Sequence, residues 1–371
     1  MEATLMSLPS ELLATILSNL PLQTLLAFSL TSWTNRILAK TALQELHLAI
    51  LSRDYHGRLA LAEHHTDSDS LDFGVVKVLT SEKSSQNLNP TETLRRQVCA
   101  QNSIATDILR NELTHNLRTL SLHMYDLASS ELASVMATNL SKLRDLSLNF
   151  HHSYINDNCI SSSYWNEAPA GNPSWNALVG LGAKNRQRLR LRNLRTLRIK
   201  RSGLTSAQLR TMVESNPRLK RLSLANVTGV EHEFVQWLGA YCKSGRSQLE
   251  EVTLQGCPQL KMQRLDDFAW LEGITDSAVR YLSLLGCKNV RHEMFVSLID
   301  GGDDEFKVRT METVIPPKGP PRHFGVAEEL GLCYSHIAMA AGFEGSEKQN
   351  GTMDKIDVDP DYMIQAVTVA A

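Results

Sequence analysis

The residues with the richest chemistry in this chain are its cysteines, histidines and arginines. Six cysteines stand at Cys99, Cys159, Cys242, Cys257, Cys287 and Cys333. They make no CxxC pair and no tight cluster, which fits buried free thiols in a reducing compartment better than a disulfide framework. His64-His65, and His151-His152 with Cys159, are candidate zinc ligands by type, but their spacing matches no common site. Solvated loop histidines are the simpler reading. Asp303-Asp304-Glu305 reads as a solvated turn. No phosphate-cradling loop, dinucleotide fingerprint, nucleophile elbow or HExxH occurs. No catalytic residue, cofactor or metal is expected.

Arginine is different. Between residues 184 and 201, Lys184, Arg186, Arg188, Arg190, Arg192, Arg195, Arg198, Lys200 and Arg201 occur without one acid. Guanidinium groups bind carboxylates and phosphates through paired hydrogen bonds. The whole chain gives no hint of this. Its 371 residues carry 38 Lys and Arg against 40 Asp and Glu, a net charge of −2. Any electrostatic recognition must be local.

The elements that would position these arginines follow from a repeat. The pattern L-x-x-L-x-L reads Leu117-Leu120-Leu122, Leu143-Leu146-Leu148, Leu194-Leu197-Ile199, Leu219-Leu222-Leu224, Leu249-Val252-Leu254 and Val279-Leu282-Leu284. Its starts are 26, 51, 25, 30 and 30 residues apart. These steps lie at or near a leucine-rich repeat, the longest being close to two repeats. Leu43-Leu46-Leu48 and Val75-Val76-Lys77-Val78-Leu79 read as poorer early turns. Alternation at the last three positions predicts a strand with its apolar side inward. Helical returns are expected at 128–137, 206–215, 231–241 and 292–298. No unit buries its apolar side alone, but stacked units share one core. Cys257 and Cys287 stand three residues after the last apolar strand position. That is similar to the cysteine-containing class of leucine-rich repeats, and the resemblance implies that both face the core.

The x positions of each strand, with the residue just after, should line a concave face. They supply Arg118, Arg144, Arg195, Arg198, Lys200, Lys220, Arg221 and Arg280 against Asp145, Glu250 and Glu251. Three readings of this basic face stay open. It takes an acidic or phosphorylated segment of a substrate protein, it is merely solvated, or it binds nucleic acid with a steep salt dependence.

The N-terminus poses a separate problem. Residues 8–30 are the most apolar stretch of the chain. The start lacks a basic n-region, and no uninterrupted apolar run reaches the ~18 residues of a membrane span. A soluble chain in the cytoplasm or nucleus, with no membrane partner, is expected. Pro9 and Ser10 suit a first helical turn, with Ser10 as the cap. Leu12, Leu13, Ile16, Leu17 and Leu20 then share a wide helical stripe. Pro21 ends that helix. A second helix carries Leu22, Leu25, Leu26, Phe28 and Leu30. Ser32 caps a third, with Trp33, Ile37, Leu38, Leu43 and Leu46. Three short helices cannot cover so much apolar surface themselves.

Leu8-Pro9-x-Glu11-Leu12, Ile16-Leu17, Leu20-Pro21, Leu25-Leu26 and Ser29-Leu30-Thr31-Ser32 together resemble an F-box. Trp33 departs from the family, which most often has a small or basic residue there. The resemblance implies a three-helix module that docks on the Skp-type adaptor of a cullin–RING ubiquitin ligase. It implies Leu8, Pro9, Leu12, Ile16, Leu17, Leu20, Pro21, Leu25 and Leu26 as the adaptor contacts. It also implies a non-catalytic subunit that positions a substrate. The other reading is a leucine-rich-repeat scaffold whose N-terminal helices cap its own core.

The expected fold class is α/β: a three-helix F-box, then a leucine-rich-repeat solenoid with parallel strands on its concave face and helices on its convex face. Expected boundaries are 1–50 for the F-box and 51–110 for an irregular linker or degenerate first repeats. The solenoid follows over 111–300, with an insertion rich in Ser, Asn, Gly and aromatics near 151–190. That insertion reads equally as a functional loop or a divergent repeat. A capping segment over 301–343 includes an edge strand near 306–314. A polar tail over 344–371 is expected to lack order.

Overall fold

A computed structural model describes residues 8–52, 75–80, 90–150, 171–181, 191–291, 307–309 and 367–368. The expected insertion near 151–190 is described only at 171–181, and the expected helix at 292–298 lies outside the described residues.

Three short helices open the chain: α1 (Ser10–Ser18), α2 (Leu22–Ser29) and α3 (Trp33–Ala42). Prolines pre-set the entry to the first two. Pro9 and Pro21 are their N-caps, and neither cap carries a side-chain hydrogen bond. Ser10 is therefore the first helical residue, not the cap. Ser32 does cap α3, accepting a hydrogen bond from the Asn35 backbone N–H at 3.1 Å. Helix α3 packs across both α1 and α2. Leu43 and Leu46 leave it: Leu43 is the C-cap, and Leu46 lies on strand β1 (Glu45–Ser52).

The remaining strands are β2 (Val75–Thr80), β3 (Thr119–His123), β4 (Asp145–Asn149), β5 (Thr196–Ser202), β6 (Arg221–Val227), β7 (Glu251–Gln255), β8 (Tyr281–Ser283), β9 (Lys307–Arg309) and β10 (Val367–Thr368). All ten join one parallel sheet in the order β10-β2-β1-β3-β4-β5-β6-β7-β8-β9. From β3 to β9 each strand lies beside the next in sequence. The helices between them are α5 (Ser130–Asn139), α6 (Pro173–Val179), α7 (Ser206–Glu214), α8 (His232–Lys243) and, after a 3-10 turn, α9 (Trp270–Thr275). Register is set by the leucines, since a slip of one residue would turn every one of them to water. Leu46, Leu120, Leu146, Leu197, Leu222, Val252 and Leu282 form one row, and Leu48, Leu122, Leu148, Ile199, Leu224 and Leu254 the next. All are buried, in an apolar core that runs unbroken from Leu17 to Val290. Cys257 and Cys287 lie in that core.

The N-terminal end departs from simple winding. Strand β2 sits outside β1, and the chain returns through α4 (Pro90–Arg110) to place β3 on the other side. The expected linker or degenerate repeats over 51–110 thus include a 21-residue helix. Two buried amides fasten it. Gln101 Nε2 donates to the Ile50 carbonyl at 2.7 Å, and its Oε1 accepts from the Tyr125 N–H at 2.8 Å. Asn102 Nδ2 donates to the Asp126 carbonyl at 2.9 Å. The tail also differs from expectation at one point. Val367–Thr368 adds to β2 as a strand, because an edge strand offers a row of unpaired backbone groups.

Each later unit turns out of its strand through the left-handed region, at Arg201 (φ 61°), Asn226 (φ 52°), Gly256 (φ 57°) and Gly286 (φ 69°). The last three are residue types that visit this region readily; Arg201 is not.

Candidate functional site

Two surfaces stand out on this frame. The first is the apolar face of α1–α3. Leu13, Leu17 and Leu25 are buried. Leu20, Leu22, Leu26, Phe28 and Leu38 are half-buried against the core. That leaves Leu8, Leu12 (53% exposed), Ile16 (42%), Leu30 (84%), Trp33 (76%) and Ile37 in water. Few large apolar side chains are this exposed among the described residues, and all but Leu265 lie on these three helices or directly beside their ends. Contiguous exposed apolar surface marks an interaction site.

The helices are fixed to the sheet, not strung from it. Only Leu43 and Gln44 separate α3 from β1. The Gln44 carbonyl accepts from the Arg118 and Thr119 N–H groups at 2.7 and 3.0 Å. A 3-10 turn (Glu112–Asn116) packs on α3. Asn116 Nδ2 donates to the Lys40 carbonyl at 2.9 Å, Lys142 Nζ donates to Asn116 Oδ1 at 2.7 Å, and Arg36 pairs with Glu112 at 2.6 Å.

The F-box domain family matches residues 5–42. The match ends where α3 ends, at Ala42. An F-box domain implies docking on a Skp-type adaptor in SCF-type complexes, and F-box proteins are generally non-catalytic subunits. No curated protein matches the chain.

The nine residues expected to touch an adaptor divide within this F-box domain. Leu8, Pro9, Leu12, Ile16 and Pro21 are exposed. Leu20 and Leu26 are half-buried. Leu17 and Leu25 point into the chain's own core and hold the three helices to the sheet. Sequence reasoning placed them on the surface because a wide apolar stripe does not say which edge faces inward. Leu30, Trp33 and Ile37, outside those nine, are exposed as well. Their signal was available in the i, i+4 spacing of Trp33 and Ile37, one turn apart on α3.

The second surface is basic. The eight expected residues fall into two groups. Arg118, Arg144, Arg195, Lys220 and Arg280 immediately precede their strands. Each of their N–H groups, with that of the following residue, donates to one carbonyl of the preceding unit. Together with Gln44 and Glu250 they form a row along the strand starts. Arg198, Lys200 and Arg221 lie on the sheet's outer face, opposite Leu197, Ile199 and Leu222. All eight are exposed. The sequence reading set all eight on one concave face. The doubled hydrogen bonds at each strand start make five of them an edge row instead.

Two of the three acids, Glu250 and Glu251, gather at one end, while Asp145 opens β4 beside Arg144. Lys220 Nζ lies 2.5 Å from Glu250 Oε1. That bond, chiefly, with Arg280 and Arg221 nearby, holds the Glu250 carboxyl below its usual range. Arg221 stands in register beside Glu251. Arg118, Arg144, Arg195, Arg198 and Lys200 make no ion pair among the described residues. The free cations therefore centre on β3–β5. Lys184, Arg186, Arg188 and Arg190 lie outside the described residues. Among the described residues, no cluster of His, Cys, Asp and Glu is arranged to hold a metal.

Proposed function

We propose that this protein is the substrate-recognition subunit of an SCF-type cullin–RING ubiquitin ligase. The F-box domain docks on a Skp-type adaptor, and through it a cullin, by an apolar surface centred on Leu12 and Ile16. Leu8, Pro9, Leu20, Pro21 and Leu26 border that surface, and Leu30, Trp33 and Ile37 extend it. The parallel sheet is a leucine-rich-repeat solenoid, and it captures a protein substrate with an acidic segment on Arg118, Arg144, Arg195, Arg198 and Lys200. Lys220, Arg221 and Arg280 contribute less, because Glu250 and Glu251 neutralise that end. The protein acts by position and makes no bonds itself. Such complexes work in the cytoplasm and nucleus.

The observation that carries this reading is the set of large apolar side chains left in water on a folded F-box domain. Burying a Leu or Ile gains roughly 1.5–3 kcal/mol, so a surface of five or six is an interface awaiting its other half. The scaffold reading has one observation in its favour. Leu17, Leu25, Ala39 and Ala42 share the sheet's core, so the helices do cap it. A cap, however, leaves Leu12, Ile16 and Trp33 without a role. The tie between Lys40 and Asn116 further supports a receptor, since a fixed angle presents the substrate to the rest of a ligase in one orientation.

Affinity capture under proteasome inhibition tests the proposal. Wild type is compared with the Leu12→Ala/Ile16→Ala chain. Adaptor and cullin should be recovered with wild type alone, and substrate with both. Equal recovery of cullin with both chains would overturn it.

A further inference from the structure

The two ends of the sheet are finished differently. At one end β9 is three residues long, and two of the three are the cations Lys307 and Arg309. A short, charged edge strand pairs poorly with another chain. Toward the other end, β2 is six residues long and reads Val75-Val76-Lys77-Val78-Leu79-Thr80. One charge stands there among four β-branched residues and a leucine. All six are in register with β1 on one side. A strand of this length and composition is a template for another strand wherever its second edge is open. That edge is not left open. Val367 and Thr368 pair with Val76 and Lys77 in parallel, so β10 is the outermost strand at this end. Every other ladder joins strands that are neighbours in the chain or have one strand between them; this one joins the last strand to the second. Stacked units are held by their neighbours and need no such contact. What β10 serves is the edge, not the stack.

We propose that β2 is a strand-acceptor edge, and that Val367–Thr368 is its resident occupant, which keeps the chain monomeric. Displaced, β10 leaves β2 to pair edge to edge with β2 of a second copy. Two paired residues make a weak clasp. Its advantage is that it belongs to the same chain: it stays near the edge, whereas a second copy must arrive by diffusion. The clasp therefore wins in dilute solution and is the part whose loss matters. The place of the edge gives this a consequence. Strand β2 lies beside β1, and only Leu43 and Gln44 separate β1 from α3. Two copies joined at β2 would bring two F-box domains to one end of a continuous sheet. The inference does not depend on the receptor reading.

The test uses the full chain. Val367→Pro/Thr368→Pro removes the backbone donors of β10, since proline cannot take part in a paired ladder. Ala370→Pro, beyond the paired residues, is the control. Light scattering from dilute to concentrated samples reads the mass, and hydrogen exchange reads the amides of Val75–Thr80. Wild type and the control should stay monomeric throughout. The double variant should exchange its β2 amides roughly tenfold or more faster when dilute, and should become a dimer or larger when concentrated. Deletion of residues 362–371 should act like the double variant, which separates loss of the pairing from any other effect of proline. A synthetic peptide of residues 362–371, added to either, should restore the monomer. Thermal melting of both should match wild type within a few degrees, because the stacked units are untouched. Variants that stay monomeric at every concentration would overturn the proposal, as would β2 amides that exchange as slowly as in wild type. A wild-type chain that dimerises as readily as the variants would overturn it too.

Discussion

Ile16 and Leu17 are neighbours on α1 with opposite surroundings: Ile16 is 42% exposed and Leu17 is 2% exposed. One helical step separates a residue of the exposed apolar face from a core residue. Leu17→Ala should therefore destabilise the chain by about 2–5 kcal/mol, the usual cost of emptying a buried leucine site. Ile16→Ala should cost under about 0.5 kcal/mol, as a surface change does. Urea unfolding of both variants checks this. Equal losses would mean that Ile16 is covered by its own chain.

Helices α8 and α9 meet backbone to backbone. A Cβ on Gly239 would lie 2.4 Å from the Trp270 carbonyl oxygen, and one on Gly273 would lie 2.3 Å from that of Gly239. Alanine within a helix is ordinarily favoured over glycine by about 1 kcal/mol. Here Gly239→Ala should lose about 1–3 kcal/mol, because the two helices must part. Thermal melting decides the sign, and a stabilised variant would contradict the close crossing.

Burial pushes the Asp126 carboxyl up to about 6, against a partial offset from its backbone hydrogen bond at Leu127. Between pH of about 4 and 6 the folded chain thus keeps a proton that the unfolded chain has released, and this group's contribution to stability falls as pH rises. Asp126→Asn removes the effect. The variant should match wild type near pH 4 and gain up to about 1–3 kcal/mol by neutral pH. Unfolding measured across that range checks it. A difference that does not change with pH would contradict the burial of the carboxylate.

Among the described cysteines, Cys99 is exposed, while Cys242, Cys257 and Cys287 are buried. Burial pushes the Cys242 thiol up to about 11 and raises that of Cys257 as well. A hydrogen bond with Cys257 holds the Cys287 thiol below its usual range, but Cys287 is buried, so access decides: Cys99 should alkylate in the native state while the other three wait for unfolding. Mass-spectrometric mapping reads this directly. Native labelling of Cys257 or Cys287 would contradict the packing of the last two units.

What the sequence made legible was whatever one period carries. Alternating leucines marked the strands from β3 to β8 and their inward faces, since period-two burial is a property of each strand by itself. The order β2-β1-β3 was not legible, because spacing does not say on which side of its neighbour a strand lies. Helix α4 escaped notice for a related reason. Its anchors are Gln101 and Asn102, polar residues that are buried only because Ile50, Tyr125 and Asp126 receive them. The F-box domain was legible as an ordered set of residues, yet which of its apolar side chains stay exposed was not. Leu12, Leu13, Ile16 and Leu17 form one stripe to the eye, and only the packing of α3 and the sheet assigns its two edges. The basic residues were identified, but Lys220 and Arg221 lose weight to Glu250 and Glu251, acids that only strand register brings beside them.

If α1–α3 complete their apolar surface on an adaptor, as proposed, the two purified proteins should bind in solution. Isothermal titration of the purified full chain with a Skp-type adaptor tests it most directly. Wild type should form a tight complex with the negative heat-capacity change of apolar burial. Leu12→Ala/Ile16→Ala should weaken it at least tenfold, about 1.4 kcal/mol, without lowering the melting temperature. A well-folded wild-type chain that binds no adaptor, or a double variant that binds as tightly, would contradict the account.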